Sequence, residues 1–153
     1  MSQGLVFMMG DFAAEIPTDR EYVRNHMWAI SVGPDAYRFG LSAYAVRLLQ
    51  DVYFIEFILE VGAPIAIRQE MGAIESKKAE SGIYAPSNGR LKIINPEILD
   101  DPSAINVDKY GDGWLFELEQ VYDALLSPEE YVAHLENAWE VAQRTIKGQA
   151  NAD

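Results

Sequence analysis

The sequence predicts a mainly β protein, a small sandwich or barrel with one short internal helix and a longer helix at its C-terminal end. Three observations point there. Short segments rich in β-branched and aromatic residues are separated by turn residues at regular intervals, the pattern of many short strands. Leu91 and Ile93 alternate with Arg90 and Lys92, as on a half-buried strand. From Ser127 onward the apolar residues recur instead at helical spacing.

Residues 1–21 show no clear period and are broken by Pro17 and Thr18, so a loosely held arm is expected there. Met27 to Val32 reads as a strand, the Gly33-Pro34-Asp35 turn reverses it, and Tyr37 to Leu41 returns. Ser42 stands where a helix cap belongs, ahead of a helix over 43–49 with Tyr44, Leu48 and Leu49 on one face. Val52 to Phe57 is β-branched and aromatic, hence a strand, and Val61-Gly62-Ala63-Pro64 turns the chain. Further strands are expected at 65–67, 72–75, 82–85 and 91–94, with Asn88-Gly89 as a hairpin signal. Trp114, Phe116 and Leu118 alternate with Leu115, Glu117 and Glu119 in a last strand. The strands span 22–126, the expected sandwich.

Ser127-Pro128-Glu129-Glu130 is a capping box with proline at the first helical position. The helix it opens is expected to run over 127–148 and to stop at Gly148. Tyr131, Leu135, Ala138, Trp139, Ala142 and Ile146 would pack on the sandwich, leaving Glu129, Glu136 and Glu140 in water.

Composition narrows the function. The 153 residues, 49% of them apolar, suit a single globular domain. A net charge of −12 opposes any sequence-independent hold on nucleic acid or anionic lipid, both of which need Lys and Arg. No apolar run reaches membrane-spanning length. The apolar patch Leu5 to Met9 follows no basic residue and makes a poor signal peptide, so a cytoplasmic location is expected. There is no cysteine, so any sulfur chemistry requires a cofactor. No phosphate-cradling glycine loop, dinucleotide fingerprint or nucleophile elbow is present. His26 and His134 belong to no metal-spaced cluster. A non-catalytic protein without a metal site is expected.

One segment stands apart: Gly72-Ala73-Ile74-Glu75-Ser76-Lys77-Lys78-Ala79-Glu80-Ser81-Gly82-Ile83-Tyr84-Ala85-Pro86. Two strand-forming stretches flank a polar tip with lysines, and carboxylates sit on both shoulders. This segment resembles the lipoyl-attachment hairpin of the glycine cleavage H-protein family, whose pattern runs Glu-Ser-any-Lys-Ala with Tyr-Ala-Pro or a close variant downstream. The resemblance continues in order through His26-Met27-Trp28, Ser42-Ala43-Tyr44-Ala45, Asp51-Val52-Tyr53-Phe54 and Glu60-Val61-Gly62. It closes on Asp101-Pro102-Ser103-Ala104-Ile105-Asn106 and Tyr110-Gly111-Asp112-Gly113-Trp114, so it covers about 22–135.

The resemblance implies a lipoyl/biotinyl-type sandwich (a barrel-sandwich hybrid) and lipoic acid held as an amide on Lys78. Glu75, Ser76 and Ala79 would complete the attachment motif. A lipoate–protein ligase would be one partner. Several departures bear on the cargo. Met27 and Gly82 stand where the family has Glu and Asp, Lys109 replaces a proline, and one extra residue falls near Ile58-Leu59. In the family those two acids help line a cleft that shelters a cationic aminomethyl-loaded arm. Their loss makes the chain look like the lipoate-binding proteins of bacterial sulfur oxidation, which work beside a heterodisulfide-reductase-like complex. The arm would then shuttle sulfur-bound intermediates or electrons. The alternatives are a glycine cleavage carrier of aminomethyl groups serving the glycine cleavage enzymes, a lipoyl relay protein, or an unlipoylated interaction module.

Overall fold

The computed structural model describes the backbone of residues 4–152 and the side chains through 144. It opens with strands β1 (Leu5–Met9), β2 (Phe12–Ile16), β3 (Glu21–Tyr22), β4 (Met27–Gly33) and β5 (Ala36–Leu41). Helix α1 (Ala43–Leu49) follows, then β6 (Val52–Phe57), β7 (Pro64–Ile65), β8 (Glu70–Ser76), β9 (Glu80–Tyr84) and β10 (Gly89–Ile94). Two short helices, α2 (Pro96–Asp100) and α3 (Ala104–Val107), precede β11 (Phe116–Glu119) and the long α4 (Pro128–Ala152).

Two antiparallel sheets make the sandwich. One has six strands in the order β3-β4-β5-β11-β10-β7, and the other three in the order β6-β8-β9. Their facing sides share one core, in which Val52, Ile55, Met71, Ile74 and Ile83 of the smaller sheet meet Ala29, Phe39, Leu91, Phe116 and Leu118 of the larger. The mainly β sandwich and its C-terminal helix match expectation.

The first residues do not form a loose arm. β1 and β2 pair from Leu5↔Ile16 to Met9↔Phe12. One face of this hairpin, with Phe7, Met9, Ala14 and Ile16, is buried in a second core with Trp28, Tyr44, Tyr131 and Leu135. The period is legible in hindsight, but the hairpin is only five residues a side and depends on remote partners for burial.

α4 therefore closes the second core, against β1 and β3, and leaves the main sandwich core to the sheets. Its capping box forms as expected: Ser127 N–H donates to Glu130 Oε1 at 2.8 Å, and Glu130 N–H donates to Ser127 Oγ at 3.1 Å. The helix passes the expected stop at Gly148 and continues to Ala152. The side chain of Ile146, expected on the packed face, lies outside the described residues.

Four local expectations change. Asn88-Gly89 is no hairpin, because β9 pairs with β8 while β10 pairs with β7 and β11, so the chain crosses between sheets there. Gly89 is needed for close approach instead: a β-carbon on it would stand 2.6 Å from the Glu119 carbonyl oxygen. The expected strand at 65–67 shortens to Pro64–Ile65. Within β11 the alternation holds, with Phe116 and Leu118 in the core and Glu117 opposite them beside Arg38, but the strand is shorter than expected and leaves Leu115, fully buried, ahead of it. Glu117, also buried, is held by Arg38 at 2.8 Å, and Trp114 lies before the strand under the Arg38 guanidinium. In α1, Tyr44 is buried as expected while Leu48 is exposed.

Candidate functional site

Lys77 and Lys78 lead the three-residue tip, 77–79, between β8 and β9, and both are exposed. Short hairpin loops ordinarily need positive φ at one or more tip residues. Neither lysine is among the residues with positive φ, so the turn has to be held by other bonds. Ser76 supplies them. Its N–H donates to the Ala79 carbonyl at 2.9 Å. Its hydroxyl donates to the same carbonyl at 3.0 Å and accepts from Ala79 N–H at 3.1 Å.

A second brace comes from outside the hairpin. Lys77 N–H donates to the Asp51 carbonyl at 2.9 Å. The backbone around Asp51 is clamped by Asn106, whose amide donates to the Gln50 carbonyl at 2.7 Å and accepts from Val52 N–H at 2.9 Å. Gln50 has φ of 62°, a left-handed conformation that a side chain resists without such a clamp. Each buried bond of this kind contributes about 1 kcal/mol.

Glu75 and Glu80 face each other across the register just below the tip. A hydrogen bond from Glu80 raises the Glu75 carboxyl above its ordinary range, helped by partial burial and by the charges of Glu80 and Glu56. The pair holds a proton better than either carboxyl would alone.

Beside the hairpin runs a cleft of about 330 Å³. It starts at Ala79 and Glu80, passes Gly82, and reaches His26 and Met27; Leu41, Leu48, Leu49 and Ile74 wall it. The exposure of Leu48 is explained here, since it faces this cleft. A β-carbon on Gly82 would lie 2.7 Å from the Tyr84 ring, which covers that glycine. At the far end His26 is held down to about 4, first by burial and then by the nearby His134. Its Nδ1 is 3.0 Å from the Tyr131 hydroxyl, which is 2.7 Å from Ser42 Oγ. Burial pushes the Tyr131 hydroxyl upward. His26 is therefore a neutral ring at ordinary pH.

The structure thus brings Lys78, Glu75, Ser76 and Ala79 together at one turn. Sequence reasoning missed Asp51, Asn106, His26, Leu48 and Tyr84. Asn106 lay in the closing signature, but nothing in the sequence tied it to the hairpin. Among the described residues no group of acidic, His or Cys side chains could hold a metal ion. Among the described residues no helix is long and apolar enough to cross a membrane.

An exposed lysine on a braced turn beside an apolar cleft has the form that a carrier of a covalently attached arm needs. Comparison with known proteins agrees. The family model "Glycine cleavage H-protein" matches residues 20–143. The glycine cleavage system H protein of Rubrobacter xylanophilus is 41% identical over 124 residues, covering 80% of this chain and 97% of its own. A probable glycine cleavage system H protein of Natronomonas pharaonis is 39% identical over 124 residues, covering 79% and 97%. The crystal structure of a glycine cleavage system H protein from Mycobacterium marinum superposes with a TM-score of 0.70 at 35% identity, over 79% of this chain and 99% of that one.

The chain belongs to the glycine cleavage H-protein family. Proteins of this family are non-catalytic carrier subunits with lipoic acid on a lysine. The β1–β2 hairpin precedes the matched region.

Proposed function

We propose that Lys78 is the lipoylated residue and that the chain carries intermediates between the enzymes of a glycine cleavage system. The observation that carries the first part is the geometry of the tip: Lys78 is exposed on a turn fixed by Ser76 and Asp51. A ligase and several successive enzymes need that exposure and that rigidity. The lipoyl group supplies a reversible disulfide that this Cys-free chain otherwise lacks. The chain's own residues present the amine, brace the turn and offer an apolar cleft in which an arm can rest out of water. Glu75, Ser76 and Ala79 shape the turn that a ligase reads.

Incubation with a lipoate–protein ligase and lipoate, followed by intact mass, tests the attachment. One adduct is expected, lost in Lys78→Arg and kept in Lys77→Arg. Arg keeps the charge but cannot accept the acyl group in the same way. An adduct that survives Lys78→Arg sinks the assignment.

For the cargo, the relatives above carry the name of glycine cleavage, which favours the aminomethyl reading over the sulfur-oxidation reading that the sequence suggested. One observation keeps the sulfur reading in play. Among the described residues Glu80 is the one acid lining the cleft, and Met27 and Gly82 leave its inner part apolar. Glycine–bicarbonate exchange by the lipoylated chain, beside an established H protein, decides between them. Rates within a few-fold of that control support glycine cleavage, and rates a hundred-fold lower support the sulfur cargo. Gly82→Asp is the useful variant in the second case. Gly82 is not in the left-handed region, so only the exposed Tyr84 ring has to turn aside. Met27 is 3% exposed, and a glutamate there would be buried.

A further inference from the structure

The arm cleft does not end at Tyr84. An open groove of about 440 Å³ continues beyond it, and Asn25 and Tyr84 line both spaces. The groove is largely apolar, with Val23, Ala85, Ile67 and Tyr84 on its walls; Ile67 and Tyr84 are 42% and 48% exposed. Its charged lining residues are Arg24 and Arg68, and no carboxylate lines it. On a chain with 24 acidic and 12 basic residues, this is a local inversion of charge.

Both arginines are exposed, and among the described residues neither guanidinium has an ion pair or hydrogen bond. Asp123, next in sequence to the lining residue Ala124, is taken up by Ser87 Oγ and Asn88 N–H at 2.9 and 2.7 Å, and Glu21 and Glu70, the acids nearest in sequence to the two arginines, do not line the groove. Arg68 is also held in an unusual place. Gln69 N–H donates to the Ala66 carbonyl at 2.9 Å, closing a four-residue turn in which Arg68 takes the third position with φ of 70°. Glycine or asparagine ordinarily fills that position, because a longer side chain is crowded there. The chain keeps an unpaired cation at a costly position on the groove's lip, and backbone strain of this kind concentrates at functional surfaces.

We propose that this groove docks an acidic, apolar segment of a partner protein that works on the arm. Two guanidinium groups at the rim of an apolar floor complement a segment that alternates carboxylates with apolar side chains. At the groove the Tyr84 carbonyl already accepts from Asn25 Nδ2, and the Ala85 N–H and carbonyl are bonded to Gln69 and Arg68, so side-chain contacts carry the docking. The net charge does not forbid the match, since salt screens charges more than about 8 Å apart under physiological conditions. The two arginines dominate at contact distance. A segment seated here lies directly beside the cleft, across Asn25 and Tyr84. Its relation to the arm rests on Lys78 being the lipoylated residue; the preference for an acidic segment does not.

The test uses the full, unlipoylated chain labelled with ¹⁵N. It is titrated with an acetylated and amidated hexapeptide of alternating leucine and glutamate. The same peptide with lysine in place of glutamate, and inorganic phosphate, serve as comparisons. Saturable shifts are expected at the amides of Ile67, Arg68, Tyr84 and Ala85 with the glutamate peptide alone. Arg24→Glu combined with Arg68→Glu should weaken that binding at least tenfold while the rest of the spectrum stays in place. Absence of these shifts, or equal shifts with the lysine peptide, overturns the proposal. So do the same shifts with phosphate alone, which would mean a simple anion site. Shifts that grow with protein concentration before peptide is added would mean a second copy, and also overturn it. Intact mass after ligase treatment of the double variant reads the Lys78 assignment separately.

Discussion

Ser76 and Ala79 are joined by three hydrogen bonds, one between backbone groups and two through the Ser76 hydroxyl, which both donates and accepts. Two residues thereby close the turn that displays Lys78 without a glycine at its tip. Ser76 is 5% exposed, so water replaces these bonds poorly when they are lost.

Ser76→Ala removes both hydroxyl bonds and leaves the backbone bond. The expected cost is about 1–2 kcal/mol, read as a lower urea midpoint. Lipoylation should still give one adduct on Lys78, at an initial rate several-fold lower because the turn samples other shapes. An unchanged rate would show that the ligase does not need the turn held.

Asn106→Ala should cost more, about 2–3 kcal/mol, since it leaves the Gln50 carbonyl and the Val52 N–H unpaired in a partly buried place. Amide exchange at Lys77 should quicken along with it, because Asp51 is the acceptor for that N–H. Global destabilisation without a selective change at Lys77 would disconnect Asn106 from the tip.

The Glu75–Glu80 pair gives a site-specific titration. A carboxyl raised in the folded state holds its proton above the unfolded value, so its contribution favours folding on the acid side and fades as pH rises through the raised value. Carboxyl carbon shifts should place the Glu75 midpoint above the ordinary glutamate range. Glu80→Gln should move that midpoint down, since it removes the Glu80 charge. A midpoint unmoved by that change contradicts the pairing.

His26 works in the opposite direction along the pH axis. Its folded value of about 4 lies below the ordinary 6.5. The neutral ring is favoured in the fold, so stability is full above 6.5 and falls as pH drops towards 4. The loss reaches up to roughly 3 kcal/mol. His26→Asn keeps a residue that tolerates φ of 71° and removes the titration. The difference in urea stability between wild type and variant should therefore change between pH 7 and pH 4.5. Parallel curves would place the acid sensitivity elsewhere.

Ile16→Ala tests the N-terminal hairpin. Ile16 is fully buried, and truncation of such a side chain costs about 2–5 kcal/mol. A loose arm would give a change near zero. Thermal or urea unfolding separates the two outcomes.

The sequence by itself determined the class of fold and the position of the candidate site. Strand and helix periods are local, so β4, β5, α1 and β6 fell close to where their residues place them. The hairpin motif is contiguous, with Glu75, Ser76, Lys78 and Ala79 within five positions, so no long-range contact was needed to find it. The tertiary structure decided the rest. It turned residues 5–16 into a packed hairpin, because Tyr44 and Tyr131 bury a face that five-residue strands cannot bury alone. It sent Asn88-Gly89 from one sheet to the other, where the Glu119 carbonyl leaves no room for a side chain on Gly89. It set Asn106 behind Gln50 and Val52, and set Arg24 and Arg68 on one groove although 44 positions separate them. Contacts of that range leave no period in the chain, and only the closing of one sheet over the other brings their residues together.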